Sequence, residues 1–369
     1  MSQEKTNSNG RGILPSASVL QKLVVEFTIR ERWFLVIILV GLTLAGVALR
    51  LPLGFTMAIG FIFASYPVIA NDSIQTLGTF IASNRDVAWW KKWLFMGGIF
   101  IITMVFSWIM FDGDLSFQRL ASKGFNETPT AFHYLQIIAP LALLVLTRLR
   151  IPVSTSLLIL TAFATEASAI QKVVMKSLNG YVLAFVGAVI LWGLITRLEE
   201  KLFTSPAKPY WRWLQWITTG ILWSFWWQQD AANIAVYLPR QIPLIGLIGF
   251  LAVIFFGLGL LMKKGGERIQ QIVEEKSYIV DIRSATIIDA LYAVILWYFK
   301  VISNIPMSTT WVFLGLLAGR ELMIALRSKR KGKRSFWSAG RIIALDAVAA
   351  TIGLIISLII GASVNGISF

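Results

Sequence analysis

The sequence predicts an all-α, polytopic integral membrane protein with about 10–12 membrane-spanning or part-spanning helices. The first observation is composition, since 56% of the residues are hydrophobic and only 14% are charged, whereas soluble domains average roughly 25% charged residues. The second is the length of the apolar runs, several of which reach the roughly 20 residues that cross a bilayer. A membrane β-barrel would show short alternating segments instead. The third is a pair of polar motifs that each occur twice in the same order, which is typical of two related repeats.

Composition divides the chain into three regions. Residues 1–33 form an N-terminal tail that is first rich in Ser, Asn and Gly and then mixes apolar and charged positions. The mixed part fits a helix lying on the membrane surface, and a short helix leading into the first span fits equally well. Residues 34–200 are expected to form the first membrane repeat and residues 201–369 the second. No cleavable signal peptide is evident, because the first long apolar run begins near Phe34 after charged residues.

The expected spans follow from the apolar segments, and their flanking loops indicate orientation. The loop at 327–341 is strongly basic and is expected on the cytoplasmic side, whereas the loop at 112–131 is acidic on balance and is expected to face outward. We therefore expect a multi-pass protein of the cell membrane, inner or plasma, surrounded by membrane lipids. The apolar segments lie at about 34–50, 53–70, 93–111, 132–149, 152–171, 180–196, 214–228, 241–262, 285–303, 306–326 and 342–361.

Charge and residue usage exclude several classes of function. The net charge of +15 fits basic loops beside anionic lipid, so we expect no nucleic-acid partner. The absence of Cys excludes disulfides and thiolate metal sites. The sequence has no nucleotide-binding loop, zinc-ligand cluster or Ser/His/Asp set. We therefore expect neither an enzyme nor a bound cofactor.

The first repeated motif is a carboxylate beside amides. Each carboxylate ends a long apolar run, where an ionisable side chain is costly and usually binds an ion or a partner. Carboxylate and amide oxygens suit a small hard cation such as Na⁺, a carboxylate can instead carry H⁺, and amide N–H groups can donate to an oxyanion. A polar contact between packed helices is the alternative. The carboxylates are Asp72 and Asp230, and the flanking amides are Asn71, Gln75, Gln229 and Asn233.

The second repeated motif is a proline followed by hydroxyls. Proline suits the first turn of a helix and Ser or Thr is a good N-cap, so Pro152 and Pro306 predict half-helices that begin within the membrane. Unpaired N–H groups at such starts bind anions, and two starts could hold one oxyanion between them. An ordinary helix start at the membrane surface is the alternative. The hydroxyl donors are Ser154, Thr155 and Ser156 in the first copy and Ser308, Thr309 and Thr310 in the second.

Other polar residues in apolar surroundings give weaker signals. Glu166, Asp289, Glu321 and Asp346 could bridge helices, bind ions or lie at interfaces. The three Trp residues before Gln228 fit either packing or an interfacial aromatic belt.

The order of the four motifs resembles the PiT family of inorganic phosphate transporters. Ala70-Asn71-Asp72 with Gly78-Thr79 matches the first family block, and Pro306-Met307-Ser308-Thr309-Thr310 matches the last. The chain departs from the family pattern in having Ile69 for a glycine, Gln228-Gln229 for Ala-Asn, and Leu157 and Trp311 for the usual histidines. The resemblance implies an inverted-repeat fold, a central phosphate site and cotransport with a cation, usually Na⁺.

The sequence thus predicts a secondary active transporter that takes up an inorganic oxyanion, most simply phosphate, by alternating access. Asp72 and Asp230 would bind the coupling cation, Na⁺ or H⁺, and the amides and hydroxyls would bind the anion. Because no Lys or Arg lies within the motifs, we expect N–H dipoles and bound cations to balance the anion. The alternatives are transport of another anion such as sulfate, a non-transporting membrane protein, and an enzyme acting on lipid head groups. A homodimer and a parallel rather than inverted repeat are left open.

Overall fold

The computed structural model describes residues 17–122, 124–148, 153–202, 205–264, 281–327 and 336–366. Pro152, most of the basic loop and the first half of the N-terminal tail lie outside these ranges. The described regular elements are all helical, which confirms the predicted all-α class. The α-helices are α1 Ala17–Ala48, α2 Leu53–Pro67, α3 Ser73–Ser83, α4 Trp89–Met110, α5 Tyr134–Arg148, α6 Thr155–Phe163, α7 Ala167–Leu202, α8 Tyr210–Asp230, α9 Ala232–Ala235, α10 Leu244–Lys263, α11 Ile282–Ile302, α12 Thr309–Arg327 and α13 Phe336–Asn365. A π-helical turn, Val68–Asp72, joins α2 to α3, and a 3₁₀ turn, Arg119–Ala121, lies between α4 and α5.

Several helices have the length and polarity of membrane spans. In the described part of the chain, six stretches are long and apolar enough to cross a bilayer: Glu31–Ala48, Leu53–Asp72, Trp89–Met110, Ala167–Leu194, Leu244–Lys263 and Ile282–Ile302. Their outward faces carry large apolar side chains, of which Ile102 is 71% and Ile245 is 74% exposed. Such a surface is stable against hydrocarbon and not against water. The fold therefore fits an integral membrane protein.

The chain forms two compact units, Met1–Leu44 and Ala45–Phe369. In its described part, the first unit consists of the larger part of α1, which runs without interruption past residue 33. The second unit holds all the other helices and the repeated motifs.

Helices α4 and α10 pack antiparallel. The indole N–H of Trp93, early in α4, donates to the Phe255 carbonyl late in α10 at 2.8 Å. The indole N–H of Trp108, near the end of α4, donates at 2.8 Å to the Ile242 carbonyl just before α10. Two such bonds at opposite ends fix the direction of one helix relative to the other.

The helices that carry the hydroxyl motifs pair with helices distant in sequence. Helix α6 packs on α13, where the Thr161 hydroxyl donates to the Ser357 carbonyl at 3.0 Å. Helix α12 packs on α7 through Gly315 and Gly319, and a Cβ at either glycine would lie 2.3 Å from a carbonyl oxygen of α7. Small residues four positions apart let two membrane helices approach backbone to backbone. This close packing holds the start of α12 in place.

The predicted span at 152–171 is wrong as a single segment. Helix α6 ends at Phe163 and α7 begins at Ala167, because the backbone turns extended at Ala164 and the Thr165 N–H donates to the Gly124 carbonyl at 3.0 Å. With nine residues, α6 is about 14 Å long, roughly half of the bilayer core. It therefore has the length of the predicted half-helix. Helix α12 has 19 residues, which is nearly a full crossing, so by length only the first copy is a half-helix.

We expect Gly319→Ala to destabilise the protein, because the new methyl would overlap the Phe185 carbonyl in α7. Overpacking of this kind costs about 1–3 kcal/mol. Gly98→Ala in α4 is the matched control, since a Cβ there meets nothing within 4 Å and both changes gain the same helix propensity. Thermal unfolding in detergent, followed by tryptophan fluorescence, should show a lower midpoint for Gly319→Ala alone. Equal midpoints would contradict the close packing of α12 on α7.

Candidate functional site

Three of the four motifs meet at the carboxyl group of Asp230, which is 1% exposed. Its Oδ1 accepts hydrogen bonds from Asn233 Nδ2 at 2.8 Å and from Ser156 Oγ at 3.1 Å. Its Oδ2 accepts one from Thr309 Oγ1 at 2.5 Å. Ser156 lies in the first turn of α6 and Thr309 begins α12. The two hydroxyl-bearing helix starts are therefore joined through one carboxyl group.

Ser154 and Ser308 act as the predicted N-caps. The Ser154 hydroxyl accepts a hydrogen bond from the Leu157 N–H at 3.1 Å, and the Ser308 hydroxyl accepts one from the Trp311 N–H at 3.1 Å. Capping satisfies one orphan donor at each helix start. Both serines are buried, so the remaining N–H groups of these first turns also lie in the interior.

Asp72 lies on the π-helical turn and is 2% exposed. Pro67, just before this turn, lacks the N–H that a regular helix needs, and the Ser73 hydroxyl donates back to the Ile69 carbonyl. Asn71 Nδ2 donates to Asp72 Oδ1 at 2.8 Å. A π-turn widens the helix locally and is frequent at functional sites. It brings both polar side chains of the first motif into the interior.

The carboxyl groups of Asp72 and Asp230 form a pair close enough to repel each other electrostatically. The Thr155 side chain interacts with Asp72 without reaching hydrogen-bond geometry. Tyr292 interacts electrostatically with both carboxyl groups, and its hydroxyl donates a hydrogen bond to the Thr309 carbonyl at 3.0 Å. Two like charges in a dry interior cannot both ionise unless a cation balances them. The carboxylate pair is thus suited to bind a cation or to share a proton.

Four oxygen atoms in these motifs are buried without a hydrogen-bond partner: Thr155 Oγ1, Gln228 Oε1, Gln229 Oε1 and Asn233 Oδ1. Leaving such a group unsatisfied costs about 1–3 kcal/mol. Hydroxyl, amide and carboxylate oxygens are the ligands that hard cations take. In the described ranges no three His, Cys, Asp or Glu side chains converge on one point, so neutral oxygens would complete the coordination of a cation here.

Gln75 and Thr310 lie outside the hydrogen-bonded cluster that Asp230 forms with Ser156, Asn233 and Thr309. Gln75 is half-buried on α3, and Thr310 is buried in the first turn of α12, and no hydrogen bond described in the structure links either to the cluster. Gln229 turns its amide N–H away, toward the Leu296 carbonyl at 3.2 Å. The remaining predicted residues line the carboxylate pair or cap the helices beside it.

The tryptophans before Gln228 are packing residues and not an interfacial belt. Trp223, Trp226 and Trp227 are almost fully buried, and the Trp223 and Trp226 rings stack with centroids 4.8 Å apart. The Trp223 indole N–H donates to the Met96 carbonyl in α4 at 2.9 Å. This packing fixes the end of α8, which carries Asp230.

Asp289 bridges helices outside the cluster. Its carboxyl group on α11 accepts hydrogen bonds from Thr79 of α3 at 2.8 Å and from Thr219 of α8 at 2.5 Å. It is 1% exposed. Among the alternatives that the sequence left open for Asp289, the structure shows a bridge between helices.

Sequence reasoning missed Arg119, a buried arginine beside the second carboxylate. It is completely buried and interacts electrostatically with Asp230. Burial lowers the pKa of the Arg119 guanidinium to about 10, against the attraction of Asp230, so the group is charged at neutral pH. A cation from outside the four motifs therefore lies beside Asp230, in addition to the N–H dipoles and bound cations that the sequence led us to expect.

The loop that carries Arg119 has a strained backbone next to this residue. Phe117 and Gln118, just before Arg119, have left-handed φ values of 52° and 61°, which cost roughly 1–2 kcal/mol per residue. The Asp114 carboxylate holds the loop by accepting the N–H groups of Ser116 and Gln118, both at 2.7 Å. No local sequence pattern signals an arginine delivered in this way.

Lys176 lies beside Arg119. Arg119 Nη1 and Lys176 Nζ both donate to the Ser303 carbonyl, so the two cations are neighbours. Unit charges about 4 Å apart repel by about 4 kcal/mol at an effective dielectric constant of about 20. An arrangement of this kind favours a nearby negative charge.

Comparison with protein-family models, curated proteins and solved structures finds no match to this chain. The resemblance to PiT transporters therefore rests on the four motifs alone.

We expect Thr309→Val to lower stability by about 1–3 kcal/mol, because it removes a donor from a buried carboxyl group. Thr310→Val is the matched control, since both threonines are 3% exposed and only Thr309 bonds Asp230. Denaturant unfolding in detergent measures the difference. If the two variants were equally stable, the Thr309 bond would not support the site.

Proposed function

We propose that this protein is a secondary active transporter that couples a cation to the uptake of an inorganic oxyanion, with phosphate as the first candidate. The observation that carries the proposal is the meeting of two buried carboxylates with two hydroxyl-capped helix starts at one place. Acidic and hydroxyl motifs far apart in the sequence serve one polar site inside an apolar protein. The cell membrane, inner or plasma, and its lipids are the proposed setting.

The helix packing supports an inverted repeat. Helices α4 and α10 each follow an acidic motif, and they run antiparallel. Helix α6 of the first half packs on α13 of the second, and α12 of the second half packs on α7 of the first. A reciprocal exchange of this kind is the arrangement expected of two halves related by a pseudo-two-fold axis in the membrane plane.

The carboxylate pair supports coupling to a cation. Asp72 and Asp230 repel each other in a buried site, so a cation or proton that enters relieves the repulsion. The unpartnered oxygens of Thr155 and Asn233 could complete a Na⁺ shell. Cation binding would then come before or together with anion binding, because an anion beside two free carboxylates is disfavoured.

The helix starts support the choice of an oxyanion. The first turns of α6 and α12 present buried N–H groups, and partial positive charge at such ends favours phosphate-like groups. A buried dianion needs further compensation, which the coupling cation and Arg119 would supply. Sulfate offers the same tetrahedral oxygens and is the alternative cargo.

An enzyme acting on lipid head groups is less well supported. The single histidine of the sequence, His133, is exposed at the start of α5. In the described cluster the Ser156 and Thr309 hydroxyls bond a carboxylate, and no imidazole base is described beside them as in a Ser–His hydrolase. A protein that has lost transport remains an outcome of the test below.

The test is uptake of radiolabelled phosphate into proteoliposomes with imposed Na⁺ or H⁺ gradients. The wild-type protein should accumulate phosphate only with one of these gradients. Asp72→Asn and Asp230→Asn should each reduce uptake at least tenfold, because each removes a charge that holds the coupling cation. Uptake of radiolabelled sulfate, measured in parallel, distinguishes phosphate from sulfate as the transported anion.

Asp289→Asn is the matched control, because Asp289 is an equally buried carboxylate whose hydrogen-bond partners in the described ranges are two threonines. We expect it to retain most of the uptake. Uptake that depended on neither Na⁺ nor pH, or that persisted in both the Asp72→Asn and the Asp230→Asn variants, would contradict cation coupling. No uptake of either anion by folded wild-type protein would favour a non-transporting role.

A further inference from the structure

A group of three cations, outside the four motifs, lies beside the second acidic motif. We call Arg119, Lys176 and Lys300 the basic cluster. Arg119 is completely buried, Lys176 is 7% exposed and Lys300 is half-buried with its ammonium 5.3 Å from the centroid of the Phe117 ring. Arg119 interacts electrostatically with both lysines. Cations are seldom buried in such number without a counterion.

The hydrogen bonds of the basic cluster go to neutral acceptors. Arg119 Nε donates to the Gln228 carbonyl at 3.2 Å, and its Nη1 donates to the Ser303 carbonyl. Lys176 Nζ donates to the same Ser303 carbonyl at 2.9 Å and to the Ile305 carbonyl. Backbone carbonyls orient these cations without neutralising them.

One nitrogen of the Arg119 guanidinium has no hydrogen-bond acceptor in the described structure. Arg119 Nη2 is buried and has no hydrogen-bond partner. The carboxylate whose charge reaches Arg119 is Asp230, and its two oxygens already accept three hydrogen bonds. A buried donor on a charged group that is otherwise held in place is the kind of atom that binds an anionic ligand.

The conformation of the loop that carries Arg119 keeps its side chain buried in the protein interior. Two consecutive left-handed residues precede it, and Asp114 ties the turn together through the Ser116 and Gln118 N–H groups. Backbone strain concentrates where a side chain must be held in a functional position.

We propose that the basic cluster is an anion-binding site for a tetrahedral oxyanion of the phosphate or sulfate class, separate from the carboxylate pair and independent of the coupling cation. The anion would accept from Arg119 Nη2 and would be balanced by the ammonium of Lys176. A planar guanidinium beside an ammonium matches the oxygens of such an anion. The site lies next to the residues that begin α12, so it could hold the anion before it reaches the helix starts. That staging role rests on the proposed function, whereas anion binding itself does not.

The test is equilibrium binding of radiolabelled phosphate to the purified full-length protein in lipid-free micelles, with K⁺ as the only alkali cation. The wild-type protein should bind phosphate although no Na⁺ is present, because this site needs no coupling cation. Arg119→Gln should weaken binding at least tenfold, which corresponds to about 1.4 kcal/mol. Added sulfate should compete.

Arg240→Gln is the matched control. Arg240 also lies on a loop and donates to backbone carbonyls, including Phe125 at 3.0 Å and Leu238 at 3.1 Å, but none of its nitrogens is buried without a partner. Its substitution should change phosphate affinity less than twofold. Equal effects of Arg119→Gln and Arg240→Gln would overturn the proposal.

Two further arms keep the outcome decisive. If Arg119→Gln does not fold, as judged by tryptophan fluorescence, Lys176→Gln should show the same loss of phosphate affinity, and unchanged affinity would refute the site. Phosphatidic acid added to the micelles separates the two sources of a phosphate group. A response to the lipid but not to inorganic phosphate would overturn the assignment to a free anion. If the protein bound phosphate in K⁺ but took up no anion in the proteoliposome assay, this site would be supported and the transport proposal refuted.

Discussion

The carboxyl group of Asp230 is the interaction on which the rest of the interior depends. It receives Ser156 from α6, Thr309 from α12 and Asn233 from α9. A buried carboxylate is costly unless it is hydrogen-bonded or paired, so these three donors must stay in place together. The helix starts on either side are therefore held at a fixed separation by a group that is itself titratable and able to bind a cation.

The surrounding packing serves to keep those donors in register. The tryptophans of α8 lock the end that carries Asp230 against α4. Gly315 and Gly319 let α12 lie directly on α7, and α6 is held by α13 through the Thr161 hydroxyl. The polar cluster thus lies between elements contributed by both halves of the chain. A change in occupancy at Asp72 and Asp230 would alter contacts in both halves, as the alternating access that we propose requires.

Local sequence rules predicted what is determined locally. The apolar runs, the N-caps at Ser154 and Ser308, and the pairing of carboxylates with amides follow from hydrophobic period, capping chemistry and the cost of buried charge. What failed depends on tertiary contacts. The end of α6 is set by the hydrogen bond that the Thr165 N–H donates to the Gly124 carbonyl. Thr310 has no described hydrogen bond to the cluster, although its neighbour Thr309 bonds Asp230. Arg119 was not foreseen, because its burial depends on left-handed backbone at two ordinary residues.

The central claim, that the first turns of α6 and α12 meet at Asp230, can be measured by crosslinking. The chain has no native Cys, so a Ser156→Cys/Thr309→Cys pair can be joined by a short bifunctional methanethiosulfonate reagent. A protease site inserted between residues 265 and 280 then reports the link as an uncut chain on a denaturing gel. The control pair is Ser156→Cys/Ser284→Cys, because Ser284 lies about 12 Å along α11 from Tyr292. We predict that the first pair is linked efficiently and the control pair is not. Equal or absent linking in both pairs would contradict the account.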